Sequence, residues 1–430
     1  MDNQSLLLSI ESLLDINPLE NYKILFHNLQ ASHLDPSGSM GRKPFSRQAL
    51  LRALIFKNLK AIPTLTELVS ELNDNPSAAI RCGFNILRPL PSVERFSSFL
   101  KNTPNKNLQQ IRIQLVHKLI DLNIIKGHYL SIDSCPIPAH VKQNNLKTNV
   151  KNRFSKSHIP KGSPDARLGA MVIYPKPNQK RVRFFWGFRD HVVIDAKVEL
   201  PIWHITKPAN VSDPLIFIPI FQLLQNEFHF PVKTVMADAF YDSNSILKYI
   251  VKDLKAKPRI SRNPRSTKDP IKLSLSKSGS LLCQAQLEMM NDGSFYDKTQ
   301  DRWRRKWICP LHHSKKYSKQ FILCPIFHPK FFSQKGCYVY FRIDQDIREE
   351  IDYGSSSFIS DSKLRSGSER VFSRLLNVCM QNPTVTSLNA VSNFAIIAHI
   401  AVLLVALTAA KNNMKDKVRF IKTFLPNFIP

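Results

Sequence analysis

The chain has 430 residues, 43% of them apolar and 22% charged, a globular composition long enough for two or three domains. Its 61 Lys and Arg against 33 Asp and Glu leave a formal net charge of +28, with clusters at 142–161, 176–189, 252–268, 302–306 and 411–422. A positive surface this broad suits a long polyanion and disfavours a small acidic substrate as the main partner.

Residues 1–124 read as helical. SRQALLRALIFKNL (46–59) repeats apolar positions at helical spacing, and TLTELVSELNDNP (64–76) opens with a Thr-x-x-Glu capping pattern and stops before Pro76. SVERFSSFLKN (92–102) begins on Ser92 as an N-cap, and another amphipathic helix follows at 106–122. A basic helical segment of this kind either binds DNA or serves only as a packed bundle; DNA binding is the expectation taken here.

From residue 127 the period changes. GHYLSIDSCPIPAH (127–140) contains a strand-like run that ends on Asp133. An unpaired buried carboxylate costs several kcal/mol, roughly, or must protonate, so Asp133 needs a reason. RVRFFWGFRDHVVID (181–195) and VELPIWHIT (198–206) form an expected hairpin, with Phe184, Phe185 and Trp186 as sheet core and His191 and His204 as satisfied strand residues. A helix at 213–228, a strand at 232–238 ending on Asp238, and a helix at 243–254 follow. The cluster 142–161 reads as a flexible loop facing DNA, and 257–345 as a β-rich insertion. A helix at 360–382 carries Glu369. FAIIAHIAVLLVALTAA (394–410) falls short of the ~20 residues of a membrane span and holds His399, so a buried core helix is expected and no membrane. The order implies a mixed sheet flanked by helices.

Two strands thus end on carboxylates and a late helix brings a third. Unit charges about 4 Å apart repel by about 4 kcal/mol at an effective dielectric near 20, so three such acids need counter-charge. A pair of Mg²⁺ or Mn²⁺ ions supplies it, and two metals can activate an attacking oxygen and stabilise a leaving one in phosphodiester chemistry. The plain alternative makes Asp133 an edge-strand residue, Asp238 a capping residue and Glu369 the solvated partner of Arg365.

CPLHHSKKYSKQFILCPIFHP (309–329) offers Cys309, His313, Cys324 and His328 as a candidate structural zinc site, with Cys337 beyond. DRWRRKWICP (301–310) sets Trp303 and Trp307 among cations, where they could stack on unpaired bases or pack beneath the insertion. Seven scattered cysteines fit a reducing compartment, and acidic residues in the leading MDNQSLLLSIESLLDINP argue against a signal peptide.

In that order along the chain, several segments resemble bacterial insertion-sequence transposases of the DDE type. GRKPFSRQALLRALIFKNLKAIPTLTELVSEL, NPSAAIRCGF and PSVERFSSFLK resemble the family's helical N-terminal region. SIDSCPI resembles its first-acid motif, PDARLG (164–169) the segment after it, and GFRDHVVIDAKVELPIWHITKPANVSD its second and third strands. VMADAFYDS resembles the second-acid motif and RSGSERVFSRLL the helix of the last acid.

The resemblance implies a ribonuclease-H-like catalytic core at 125–256 and 346–412, interrupted by the insertion at 257–345 and followed by a basic tail at 413–430. It implies that Asp133, Asp238 and Glu369 are the metal-binding catalytic acids. They would join water or a terminal 3′-hydroxyl to a DNA phosphate without a covalent enzyme intermediate. Arg365 matches the basic residue of a Tyr-x2-Arg-x3-Glu-x6-Lys pattern, whose Tyr is Ser362 here and whose Lys is Leu376. Arg370 or Arg374 would take over the DNA contact of that Lys. Double-stranded DNA at the element ends and target, a homodimer on that DNA, and a cytoplasmic, nucleoid-associated place in a bacterium are expected. A nuclease with the same core and an inactive DNA-binding descendant remain the other readings.

Overall fold

A computed structural model of the chain describes residues 20–35, 44–176, 179–263, 280–318, 322–342, 347–381 and 383–421. Parts of the expected insertion (264–279, 319–321 and 343–345) and of the expected tail (422–430) lie outside the described residues, as do 1–19 of the N-terminal region. The chain divides into two compact units, Met1–Met236 with Asp361–Pro430, and Ala237–Ser360.

The first unit opens with helices α1 (Glu20–His27), α2 (Arg47–Leu59), α3 (Leu65–Asp74), α4 (Pro76–Cys82), α5 (Val93–Asn102) and α6 (Asn105–Asp121). Their ends follow local chemistry. The Ser46 side chain accepts from the Ala49 amide to start α2, and Thr64 with Glu67 completes the expected capping box on α3. Asn75 caps α4, whose first residue is Pro76 and whose end is Gly83 in the left-handed region. Ser92 precedes α5 without capping it through its side chain.

Four strands of this unit, β1 (Tyr129–Pro138), β2 (Arg167–Lys176), β3 (Gln179–Asp195) and β4 (Leu200–Pro208), come next, then α7 (Asp213–Phe228) and β5 (Thr234–Ala237). β1 runs antiparallel to β3, β3 antiparallel to β4, and β1 parallel to β5, which α7 reaches as a crossover. An antiparallel meander followed by a parallel crossover onto its first strand is the ribonuclease-H-like arrangement. β3 is long enough to serve two partners on one edge. Its Arg181–Gly187 half pairs with β2 and its Phe188–Asp195 half with β4. A Cβ on Gly187 would stand 2.3 Å from the Ile137 carbonyl oxygen, so glycine there permits β1 and β3 to stay in register.

Trp186 and Phe185 are buried as expected, one on each face of β3, whereas Phe184, on the Trp186 face, is 48% exposed. The 142–161 segment, expected as a flexible loop facing DNA, touches the sheet through Asn144 and Arg153. The Asn144 side chain bonds both the amide and the carbonyl of Trp186, and the Trp186 indole donates to the Arg153 carbonyl.

The chain returns to the first unit along α12 (Ser356–Lys363), which begins in the second unit. The expected helix at 360–382 is broken there, and α13 (Ser366–Asn377) starts afresh beyond Leu364 and Arg365. α14 (Leu388–Lys411) then packs against α2, α5, α6 and β4. It is apolar all round and buried almost throughout, the core helix that its sequence implied.

In the second unit, β5's last residue leads to a 3₁₀ turn at Ala239–Tyr241, then α8 (Asn244–Lys248), which runs on as a π-helical turn to Asp253, and β6 (Lys257–Ile260). β7 (Met290–Asp297), β8 (Arg302–Ile308) and β9 (Tyr338–Arg342) form an antiparallel sheet in that order. Three short helices, α9 (Pro310–His313), α10 (Lys315–Ser318) and α11 (Pro329–Ser333), lie between β8 and β9.

Candidate active site

Asp133 lies in β1 opposite Val192 of β3, and its side chain keeps 25% of its surface exposed. One oxygen accepts the amide of Ser134 at 2.8 Å. Two residues earlier, the Ser131 and Ser368 hydroxyls meet at 2.8 Å in a buried contact between β1 and α13. Small residues allow this approach: a Cβ on Gly367 would already stand 3.3 Å from Glu199 Cγ. The residue after Ser368 is Glu369, two-thirds exposed.

Arg365, one turn before Glu369, places Nη1 3.9 Å from Asp133 Oδ2 and Nη2 3.7 Å from Glu369 Oε1. One guanidinium therefore faces both acids, and its charge lowers the repulsion between them. The i,i+4 pair foreseen by the plain alternative is present, yet Arg365 reaches Asp133 as well.

Behind α13 lies a residue whose role the sequence did not suggest. Glu199, in the β3–β4 turn at φ +56°, is buried. Its carboxylate meets Arg370 at 2.7 Å, Arg374 at 3.3 Å and Arg419 at 3.1 Å. Arg374 also donates to the Glu199 carbonyl at 2.6 Å. Burial pushes the Arg374 guanidinium down to about 10 while Glu199 pulls it back up. Arg374, expected to contact DNA, is thus turned inward, because a buried carboxylate there requires a cation. Arg370 is still half exposed and bonds Glu199 with one edge. Leu376, where the motif has Lys, is partly exposed on α13.

Two further networks run through the sheet. Asp190 is wholly buried and accepts from His204 Nδ1 and His399 Nε2, each at 2.8 Å, and from the Thr206 hydroxyl at 2.9 Å. The two imidazoles stack with centroids 4.2 Å apart. Burial, assisted by His204, depresses His399 to about 4, so it is neutral near pH 7 and donates its Nε2–H. Burial alone would raise the Asp190 carboxyl, but the two histidines outweigh it and hold it below its usual range. The three ligand-type atoms lie within 4.8 Å of one another, but the hydrogen bonds already occupy them. Beside Asp133, Ser134 donates to Asp213 at 3.0 Å, and Arg189 donates to Ser134 at 3.0 Å and stands 3.7 Å from Asp213. His191 is buried next to Asp213.

Asp238 belongs to the second unit, where it caps the Ala239–Tyr241 turn by accepting the Phe240 amide at 2.8 Å. Trp303 and Trp307 alternate with Arg305 along one face of β8. Trp303 is half exposed and meets Tyr296 edge-on at 5.7 Å, whereas the Trp307 indole nitrogen is buried. The four expected zinc ligands divide. Cys309 and Cys324 share a buried cluster, but His313 Nε2 faces the Lys335 carbonyl at 3.1 Å and His328 Nδ1 accepts the Lys330 amide. Local backbone partners claim a ring nitrogen of each histidine.

Comparison with known proteins adds the following. A family model described as "Transposase DDE domain" matches residues 130–404, and one described as "Transposase domain (DUF772)" matches residues 2–102. Among solved structures, the cryo-EM structure of a piggyBac transposase synaptic complex with hairpin DNA is similar, at 13% identity and a TM-score of 0.37, over 96% of this chain and 79% of that one. No curated protein matches.

Proposed function

The chain belongs to the transposase DDE-domain family, a class of metal-dependent enzymes that cleave and join DNA, and on that premise we propose that Asp133, Asp238 and Glu369 are its catalytic acids. The observation that carries this reading is Arg365 set against both Asp133 and Glu369, with the Ser131–Ser368 bond fixing α13 on β1 behind them. Asp238 is assigned with them from its second-acid motif, VMADAFYDS, and it follows directly after β5.

The donor set fits hard divalent ions: carboxylate oxygens at a partly exposed place, the chemistry that Mg²⁺ and Mn²⁺ take. Asp133, Asp238 and Glu369 would hold two such ions, which would lower the pKa of an attacking water or 3′-hydroxyl and offset charge on the phosphate. The protein's own residues do the rest. β1 holds Asp133 within its ladder, Asp238 follows directly after β5, and the docked α13 sets Glu369. Arg365 shares its charge between the acids and an incoming phosphate, and the excess of Lys and Arg holds the duplex. The exposed edge of Arg370 takes the contact that Leu376 cannot make. On β8, Trp303 and Arg305 offer a face for unpaired bases, and two copies of the chain act together on the two element ends.

Titration with Mn²⁺, followed by its paramagnetic resonance signal, tests the metal set. Asp133→Asn and Glu369→Gln should each weaken binding, and Asp213→Asn, beside the site but bonded to Arg189 and Ser134, should leave it unchanged. Equal binding by all four proteins would remove the assignment.

A further inference from the structure

The second unit contains Cys283, Cys309, Cys324 and Cys337, all as free thiols, and they gather in one place. Cys309 and Cys324 are buried with Leu311 as a small core, and Cys337 packs against it together with Ala285 and Leu287. Cys283, Cys324 and Cys337 line one cavity of about 340 Å³. The turn before Cys337 lies directly on Cys309. Gly336 has φ +83°, and a Cβ there would stand 2.5 Å from Cys309 Cβ and 3.0 Å from its sulfur. Burial, then the neighbouring Cys309 and Cys283, push the Cys337 thiol up to about 11.

Each of these cysteines sits at a tight turn. The Gln286 amide returns to the Cys283 carbonyl and the Phe327 amide to the Cys324 carbonyl, each at 2.9 Å, while Cys309 precedes Pro310 at the start of α9. Four soft donors on four turns, converging on a small buried cluster of their own, match the chemistry of a tetrahedral thiolate centre. A unit with little apolar burial gains stability from such a staple.

We propose that Cys283, Cys309, Cys324 and Cys337 bind one structural Zn²⁺, with His313 and His328 outside the ligand set. The thiols stand more open than the Asp190–His204–His399 group, so tetrahedral zinc, at about 2.3 Å from each sulfur, draws them inward. Binding removes the thiol protons, and the basic surroundings, Lys330 on the cavity wall among them, favour the resulting negative centre. The histidines hold the surrounding turns through the Lys335 carbonyl and the Lys330 amide.

The test uses the full-length chain and needs no DNA, so its outcome is separate from that of the catalytic assignment. Metal content is measured after purification and after exchange into Co²⁺, whose absorption reports tetrahedral thiolate ligation. Stoichiometric zinc, a thiolate–cobalt charge-transfer band, loss of both in Cys283→Ser and Cys337→Ser, and their retention in His313→Ala and His328→Ala are expected. Where a serine variant fails to fold, the wild type serves: a chelator should lower its melting temperature and Zn²⁺, not Mg²⁺, should restore it. Wild-type protein that takes up no zinc when supplied with it, or that keeps zinc in Cys283→Ser and Cys337→Ser, overturns the proposal.

Discussion

The two units of this protein are held together in different ways. The first buries large side chains on both faces of its sheet, runs α14 through its centre, and closes with buried charge networks at Asp190 and Glu199. Among its described residues the second has fewer fully buried apolar side chains and leaves Trp303, Phe327, Phe332 and Tyr340 exposed by 40% or more. A unit that buries apolar mass can hold acids in fixed positions. A unit that does not must take its stability from elsewhere and has aromatic surface free for a partner.

Glu199→Ala should break this contrast most sharply. It strands Arg374 inside the first unit, and breaking a buried pair costs about 3–5 kcal/mol. Equilibrium denaturation should show the loss, and strand cleavage should fall too, because α13 is no longer clamped. The conservative Glu199→Asp should recover part of both.

Acid provides the second probe. The folded state holds His399 neutral down to about pH 4, whereas the unfolded chain protonates it near 6.5. Between these values the unfolded state binds more protons. Stability is therefore intact above about pH 6.5, falls as pH drops, and has lost about 3 kcal/mol by pH 4. Asp190 does not add to this window, since its carboxyl titrates below it. His399→Leu should flatten the slope between pH 6.5 and 4 while lowering stability at pH 7, and melting curves at several pH values would show it. An unchanged slope would remove His399 as its source.

The smallest effect on folding should come from Trp303→Ala. Its half-exposed side chain should cost less than about 0.5 kcal/mol of stability, but single-stranded DNA affinity should weaken by about 1–3 kcal/mol if a base stacks there. Equal DNA affinity in fluorescence titration would assign Trp303 to packing against Tyr296 alone.

The main elements could be read from the sequence because they carry local signals. The apolar run before Asp133, the Thr64–Glu67 capping pattern, and an uninterrupted apolar helix around His399 each announce their element, although the strand expected to end on Asp133 runs on to Pro138. β2 was not foreseen as a strand; it pairs with the Arg181–Gly187 half of β3. The break at Leu364–Arg365 hid inside a strongly amphipathic pattern. Glu199 read as part of a polar turn, and its partners lie 171 to 220 residues away. Asp190 and His399 are likewise 209 residues apart, and no spacing rule links them. Cys283 stands well before the Cys-Pro turns, so the sequence pointed to the nearer histidines instead. Long-range polar partners were invisible for one reason: only the fold brings them together.

We propose that Asp133, Asp238 and Glu369 act together on DNA. The most direct test mobilises the gene with its native flanking DNA, carrying a selectable marker, and compares wild type with Asp133→Asn, Asp238→Asn and Glu369→Gln. Each variant should reduce transposition to background while retaining DNA to within about twofold, since losing a carboxylate does not weaken phosphate attraction. Transposition by any one of these variants at the wild-type frequency would remove that residue from the catalytic set.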